Sequence, residues 1–206
     1  DSTCRIGRTY ADFKRYIEEL PTAVVEMDTL IGRVGGKVLL TLMFKSCDLM
    51  LAFIRERNTS QSVIDIFNCL YELLGADCFK MLFPVILTDN GSEFSNPKAL
   101  EFDSEGNRRT KLYYCDPFAS YQKANVELNH EFIRKILPKG TSFDDLCQDD
   151  INLMMSHINS YSREKLCDKS PFDLFGFLYG YTMLEKLGQI KIPPNEIMLK
   201  PSLLKK

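Results

Sequence analysis

"VILTDNGSEF", residues Val85–Phe94, places four strand-forming residues directly ahead of an aspartate and then breaks the strand with Asn90 and Gly91. An unpaired carboxylate at the end of a buried strand costs on the order of several kcal/mol unless something compensates it. A cation is one such partner, and its remaining ligands have to come from elsewhere in the chain. Asp-Asn-Gly is also a common hairpin signal, but no partner strand follows Gly91 at hairpin distance.

Upstream, "AVVEMDTLIG" has the pattern of a strand from Val24. A turn at Gly35 and Gly36, "KVLLTLMF", a polar break at Lys45 and Ser46, and "DLMLAFI" complete a three-strand meander. In the next segment Val63, Ile66, Phe67, Leu70, Leu73 and Leu74 recur at helical spacing, with Asn58 or Thr59 as cap and Gly75 as stop. "FPVILTD" supplies a fourth strand and "KLYYCD" a fifth. The polar stretch between them, Asn90 to Thr110, contains a short helix near Lys98; its length and shortage of apolar anchors predict mobility or function. A helix from about Ser120 to Leu137 ends at "PKG", and another from about Leu146 to Tyr161 carries Ile151, Met154, Met155 and Ile158 on one face. Ser170 caps a short helix opened by Pro171, and the final stretch through "KPSLLKK" reads as an irregular arm. Three antiparallel strands, a crossover helix, two more strands and then helices define an α/β fold. It has a five-stranded mixed sheet flanked by helices, in an order that matches a ribonuclease H-like sheet.

At 206 residues and 45% apolar content, the chain is sized for one domain with short appendages. Its apolar runs fall far short of the roughly 20 residues of a membrane helix, so the expectation is a soluble protein with no membrane partner. Seven cysteines without a C-x-x-C pair point to reduced thiols in a cytoplasm. With only His130 and His157 available, a Cys/His zinc site is disfavoured and any metal would sit on oxygen ligands. A net charge of -2 does not advertise nucleic-acid binding, which would have to use local patches. Candidate patches are Arg108, Arg109 and Lys111 beside the long loop, Lys123, Arg134, Lys135 and Lys139 along a helix, and the Lys-rich tail. Each also reads as an ordinary solubilising surface. The chain starts at Asp1 without methionine, which reads as an internal piece of a longer protein.

Three acids are the candidate ligands. Asp28 lies within the first strand, Asp89 ends the fourth, and Glu127 lies on the helix after the fifth. If strands one and four are neighbours, both aspartates face one pocket and the helix brings Glu127 across it. Three hard oxygen donors in a cleft suit Mg²⁺ or Mn²⁺. At 3.6 residues per turn Lys123, Glu127, His130, Glu131 and Arg134 share one helix stripe. Alone, that stripe would be a solvated face; with two strand-borne aspartates, the functional reading overtakes it.

"MDT", "TDNGSEF" and "YQKANVE", with Arg134 seven residues after Glu127, resemble the Asp-Asp-Glu motif of the transposase and retroviral-integrase superfamily. "DPFASYQKANVELNHEFIRKILPKGTSF", "HINSYSREKL" and "KSPFDLF" resemble bacterial insertion-sequence transposases of the IS-thirty type. The resemblance spans roughly Val24 to Arg163. It implies a catalytic core at 24–163, an N-terminal extension at 1–23 whose upstream DNA-binding domain is missing, and a C-terminal extension at 164–206. It implies that Asp28, Asp89 and Glu127 are catalytic and hold two Mg²⁺ or Mn²⁺ ions, Asp28 being shared, for DNA cleavage and strand transfer. It further implies transposon-end and target DNA as partners, a homo-oligomeric active complex, and a bacterial, cytoplasmic, nucleoid-associated location. Arg108, Arg109, Lys111, Lys123, Arg134 and Lys135 are the expected DNA contacts. The chain departs from such relatives at Ala124, where Gly is frequent, and at Val126 and Leu128, where Asn is frequent. "YSREK", Tyr161 to Lys165, evokes a different transposase family but is too tightly spaced, and reads as a helix end with backbone-binding charges. Two other readings stay open: a ribonuclease H-like nuclease that cuts without joining, and a catalytically silent DNA-binding module.

Overall fold

A computed structural model describes residues 2–204. Among them, five strands form one mixed sheet in the order β3-β2-β1-β4-β5. β1 (Val24–Ile31), β2 (Val38–Phe44) and β3 (Met50–Arg55) are the antiparallel meander, and β4 (Val85–Thr88) and β5 (Lys111–Tyr114) run parallel to β1. β1 is therefore the central strand, and β4 lies beside it as the sequence reading required.

Side-chain alternation sends the strands' apolar residues to two faces. On one face Val25, Met27, Leu40, Leu42, Ile86 and Leu112 pack beneath α2 (Ser60–Leu74) and α3 (Ala76–Leu82). α7 (Pro171–Tyr179) and α8 (Tyr181–Lys186) join this cluster through Phe172, Phe175, Met183 and Leu184. Thr59 caps α2 by accepting the Ser62 N–H, and Gly75 terminates it at φ 78°, a conformation that favours glycine. α3 follows immediately and was not foreseen from the sequence, because its seven residues are too few to show a period.

The opposite face is divided. Over β1 to β3, α5 (Ala124–Ile136) and α6 (Gln148–Ser160) cover Leu30, Leu39, Met43, Met50 and Ala52. Over β4 and β5, α1 (Tyr10–Glu19) lays Phe13 on Val85, Leu87 and Tyr113. α1 lies in the expected N-terminal extension and opens with a capping box between Thr9 and Asp12. The two acids of β1, Glu26 and Asp28, face this divided side, as does Leu30.

The Asn90 to Thr110 segment corrects the sequence reading. It has apolar anchors: Phe94 and Leu100 are buried in the main core, and Tyr114 donates its hydroxyl proton to the Phe94 carbonyl. α4 (Pro97–Glu101), capped by Asn96, supplies the short helix expected near Lys98. The far C-terminal stretch is irregular, yet Leu199, Leu203 and Leu204 rest on the α5/α6 cluster and the Met198 N–H donates to His157 Nδ1. Lys205 and Lys206 of the expected Lys-rich tail lie outside the described residues. No helix among the described residues is long and apolar enough to cross a membrane.

Candidate active site

The strand register builds the first part of the site. Met27 of β1 pairs with Thr88 of β4, so the next residues, Asp28 and Asp89, stand side by side. Each aspartate uses one carboxylate oxygen locally. Asp28 Oδ1 accepts the Thr29 N–H at 2.8 Å, and Asp89 Oδ1 accepts the Gly91 N–H at 2.9 Å. The second oxygens converge on one cation, the Lys123 ammonium, at 3.0 Å from Asp28 Oδ2 and 3.1 Å from Asp89 Oδ2. The compensating charge sought from the sequence is thus supplied by the chain itself.

"DNG" has a separate task at each position. The Asn90 side chain donates to the Cys115 carbonyl at 2.7 Å, tying the end of β4 to the end of β5. A Cβ on Gly91 would lie 2.5 Å from Glu93 Oε2 and 3.1 Å from Asp89 Oδ1, so a side chain there would push into the site. Hydrogen bonds to backbone groups, rather than a hairpin, explain this turn.

α5 is fastened over β1 and β2 at intervals of four residues, the spacing of one helix face. The Val126 N–H donates to the buried Glu26 carboxylate at 2.8 Å, Thr41 Oγ1 lies 2.8 Å from His130 Nε2, and Arg134 donates to the Ile31 carbonyl at 2.8 Å. This arrangement leaves Glu127, one residue round from Val126, lining the same cleft as Asp28, Asp89 and Lys123. The cleft holds about 440 Å³, and its outer wall is the loop Asp116 to Ala119. Gln122 clamps that loop by accepting the Asp116 N–H and donating to its carboxylate, each at 2.8 Å. Three carboxylates do not, however, meet at a point: among the described residues no group of three or more His, Cys, Asp or Glu side chains stands ready around a metal ion.

The electrostatics follow from this packing. Burial, reinforced by the neighbouring Asp89 charge, pushes the Asp28 carboxyl up to about 6 against the pull of Lys123. Burial alone would lower Lys123, but Asp28 and Asp89 outweigh it and hold the ammonium above its usual range. Burial raises Glu26, partly offset by the Val126 N–H and Lys45. It also drives His130 down to about 4, with Lys123 and Arg134 adding to the effect, so His130 is neutral near pH 7.

As a donor set for a metal, Asp28 and Asp89 fit: two hard oxygens from adjacent strands already chelate one cation, and Glu127 borders the same space. The expected DNA contacts divide. Lys123 is no surface phosphate ligand here, because both aspartates hold its ammonium and its side chain is only 4% exposed. Arg109 is also corrected. It is buried, donates to the Leu100 and Ala99 carbonyls and to Asn68, and lies among the rings of Phe67, Tyr71 and Phe79. Arg134 is half-buried against the end of β1. Arg108 lies over Phe102 and pairs with Glu101, Lys111 lies over Tyr16, and Lys135 is exposed beside Phe132.

Sequence reasoning missed the supporting residues. Glu26, two positions before Asp28 on the same strand face, anchors the helix that carries Glu127. The i, i+2 spacing of two acids in an otherwise apolar strand was the available signal. Arg8 also went unremarked: it pairs with buried Glu101, and its carbonyl accepts the Tyr114 N–H at the exposed edge of β5.

The fold is α/β of the ribonuclease H-like class, and the known proteins that the chain is similar to are integrases and transposases. A chain of the simian T-cell lymphotropic virus intasome in complex with PP2A regulatory subunit B56 gamma matches with a TM-score of 0.54. Its identity is 17%, covering 75% of this chain and 54% of that one, a likeness of fold. By sequence the relatives are integrases and transposases. A putative integrase of Spiroplasma virus SpV1-R8A2 B is 28% identical over 73% of this chain and 45% of its own length. The transposase for insertion sequence element IS4351 of Bacteroides fragilis is 25% identical over 82% of this chain and 50% of its own. Transposase InsI for IS30A of Escherichia coli is 31% identical over 42% of this chain and 21% of its own. The resemblance read from the motifs is therefore borne out, although no family model matches the chain. The chain spans about half the length of the first two relatives.

Proposed function

We propose that this chain is the catalytic core of a DNA transposase, performing divalent-metal-dependent strand cleavage and strand transfer at insertion-sequence ends. The observation that carries the proposal is the convergence of Asp28 Oδ2 and Asp89 Oδ2 on a single cation in a cleft bordered by Glu127. Two bound Mg²⁺ or Mn²⁺ ions would supply an activated attacking oxygen and charge stabilisation at the leaving oxygen. The chain's own part is to hold and orient the ligands. The Thr29 and Gly91 N–H groups fix the carboxylates in rotation, each leaving one oxygen free for the cleft. Glu26 sets the height of α5 and with it Glu127. Asn90 keeps the ends of β4 and β5 together beneath the cleft wall.

Among the nominated DNA contacts, Arg108 and Lys135 are exposed and Lys111 is half-buried, and these three stay proposed as phosphate ligands, which position DNA without reading its sequence. A homo-oligomer engaging transposon ends and target DNA remains part of the proposal, as does a bacterial cytoplasmic, nucleoid-associated location. Asp28→Asn, Asp89→Asn and Glu127→Gln keep side-chain volume and remove a charged ligand, so each is expected to abolish Mg²⁺-dependent nicking of terminal-repeat DNA and the joining of its 3′ end to a target. Full nicking by any one of them would remove that residue from the catalytic set. Nicking without joining by the wild-type chain would instead identify a nuclease, and the absence of metal-dependent cleavage would favour the silent module.

A further inference from the structure

Lys123 lies at the boundary between a 3-10 turn (Ser120–Lys123) and α5, yet its side chain turns inward instead of following the exposed face of the helix. Its ammonium touches Asp28 Oδ2, Asp89 Oδ2 and, at 3.4 Å, the Met27 carbonyl. These two carboxylate oxygens are the ones that the local N–H groups leave free, so a divalent ion entering between the aspartates needs the same lone pairs. An ammonium and a divalent cation cannot share them, since each wants the oxygens at bonding distance and the two positive charges repel.

The ammonium has somewhere to go. The cleft of about 440 Å³ opens beside it, walled by Asp116, Pro117, Phe118 and Ala119, and a lysine side chain is long and flexible enough to swing across it. A lysine moved in this way would place its charge at the mouth of the cleft.

We propose that Lys123 is the resident counter-cation of the unloaded site, and that metal loading expels its ammonium into the cleft, where it becomes a DNA phosphate contact. The inference rests on the reading of Asp28 and Asp89 as metal ligands. It gives the site two properties that the carboxylates alone do not: the empty aspartate pair is not left as two unpaired anions, and a positive charge for DNA is delivered only when metal is present.

The test uses Mn²⁺ binding followed by electron paramagnetic resonance, with Ca²⁺ as a non-cleaving substitute in DNA titrations. Lys123→Met, which removes the competing charge at similar length, is expected to bind Mn²⁺ at least tenfold more tightly than wild type. Lys123→Arg, which keeps the charge, is expected to stay within threefold of wild type. In the wild-type chain, acylation of the Lys123 amine read by mass spectrometry is expected to be slow without metal and at least fivefold faster at saturating Mn²⁺. In Ca²⁺ the wild-type salt slope for DNA should exceed that of Lys123→Met by about one phosphate contact, and in a chelator the two slopes should coincide. Unchanged labelling, or a Lys123→Met affinity within twofold of wild type, overturns the displacement while leaving the metal site standing. If Asp28→Asn does not weaken Mn²⁺ binding, or Mn²⁺ does not bind at all, the metal reading falls and takes this inference with it. The labelling experiment needs no variant, so it decides the question even if Lys123→Met fails to fold.

Discussion

Neutralising Asp28 should make the metal-free protein more stable. The ionised carboxylate is buried beside Asp89, and Lys123 compensates it only in part, so its pKa rises from 3.8 to about 6. At about 1.4 kcal/mol for each tenfold change, that rise corresponds to about 3 kcal/mol of native-state cost once pH exceeds the folded value. The sign follows from proton binding. Between pH 3.8 and about 6 the native state holds more protons at this carboxyl than the unfolded chain does, so wild-type stability falls as pH rises through that window. Asp28→Asn lacks the ionisation and escapes the fall. Urea denaturation across pH 4 to 8 in a chelator should show the variant gaining on wild type as pH rises, by about 1 to 3 kcal/mol at pH 7. Adding Mg²⁺ should narrow or reverse the gap, because only the intact pair binds the ion. A variant less stable than wild type at pH 7, or a difference that does not change with pH, would show that Asp28 serves the fold and would refute the reasoning.

Three further outcomes are expected. Arg109→Met leaves the Leu100 and Ala99 carbonyls and Asn68 without their donor. It should therefore cost about 3 kcal/mol or more in urea denaturation, with an unchanged salt slope for DNA binding in whatever fraction remains folded; a stable variant with a shallower slope would restore Arg109 as a phosphate ligand. Glu26→Ala orphans the Val126 N–H and should cost about 1 to 3 kcal/mol along with nicking activity, while Glu26→Gln, which keeps an acceptor, should recover most of both; equal losses in the two variants would contradict the anchoring role. His130, held down to about 4 by burial and nearby cations, should show no imidazole titration by NMR between pH 5 and 8, and a midpoint near 6.5 would disprove the packing of α5 on Thr41.

The order of elements was legible because each has its own period and punctuation. Short apolar runs divided by Gly35-Gly36 and Lys45-Ser46 mark β1 to β3, the 3.6-residue repeat with Thr59 and Gly75 marks α2, and the Ser170-Pro171 pair opens α7. The three acids were legible too, since two of them interrupt strands that are otherwise built for burial. Tertiary packing decided what the surrounding charges do. Arg109 and Lys123 look like surface cations in the sequence, where nothing distinguishes them from Arg108 and Lys135. Their roles depend on partners distant in the chain: Asn68 and the end of α4 for Arg109, and Asp28 and Asp89 for Lys123. The long loop misled for the same reason, because Phe94 and Leu100 are single apolar residues whose burial is set by the sheet beneath them, with no local repeat to reveal it. A sequence displays periodic burial through its pattern; the pairing of a lone charge or a lone ring is settled only by what the fold brings against it.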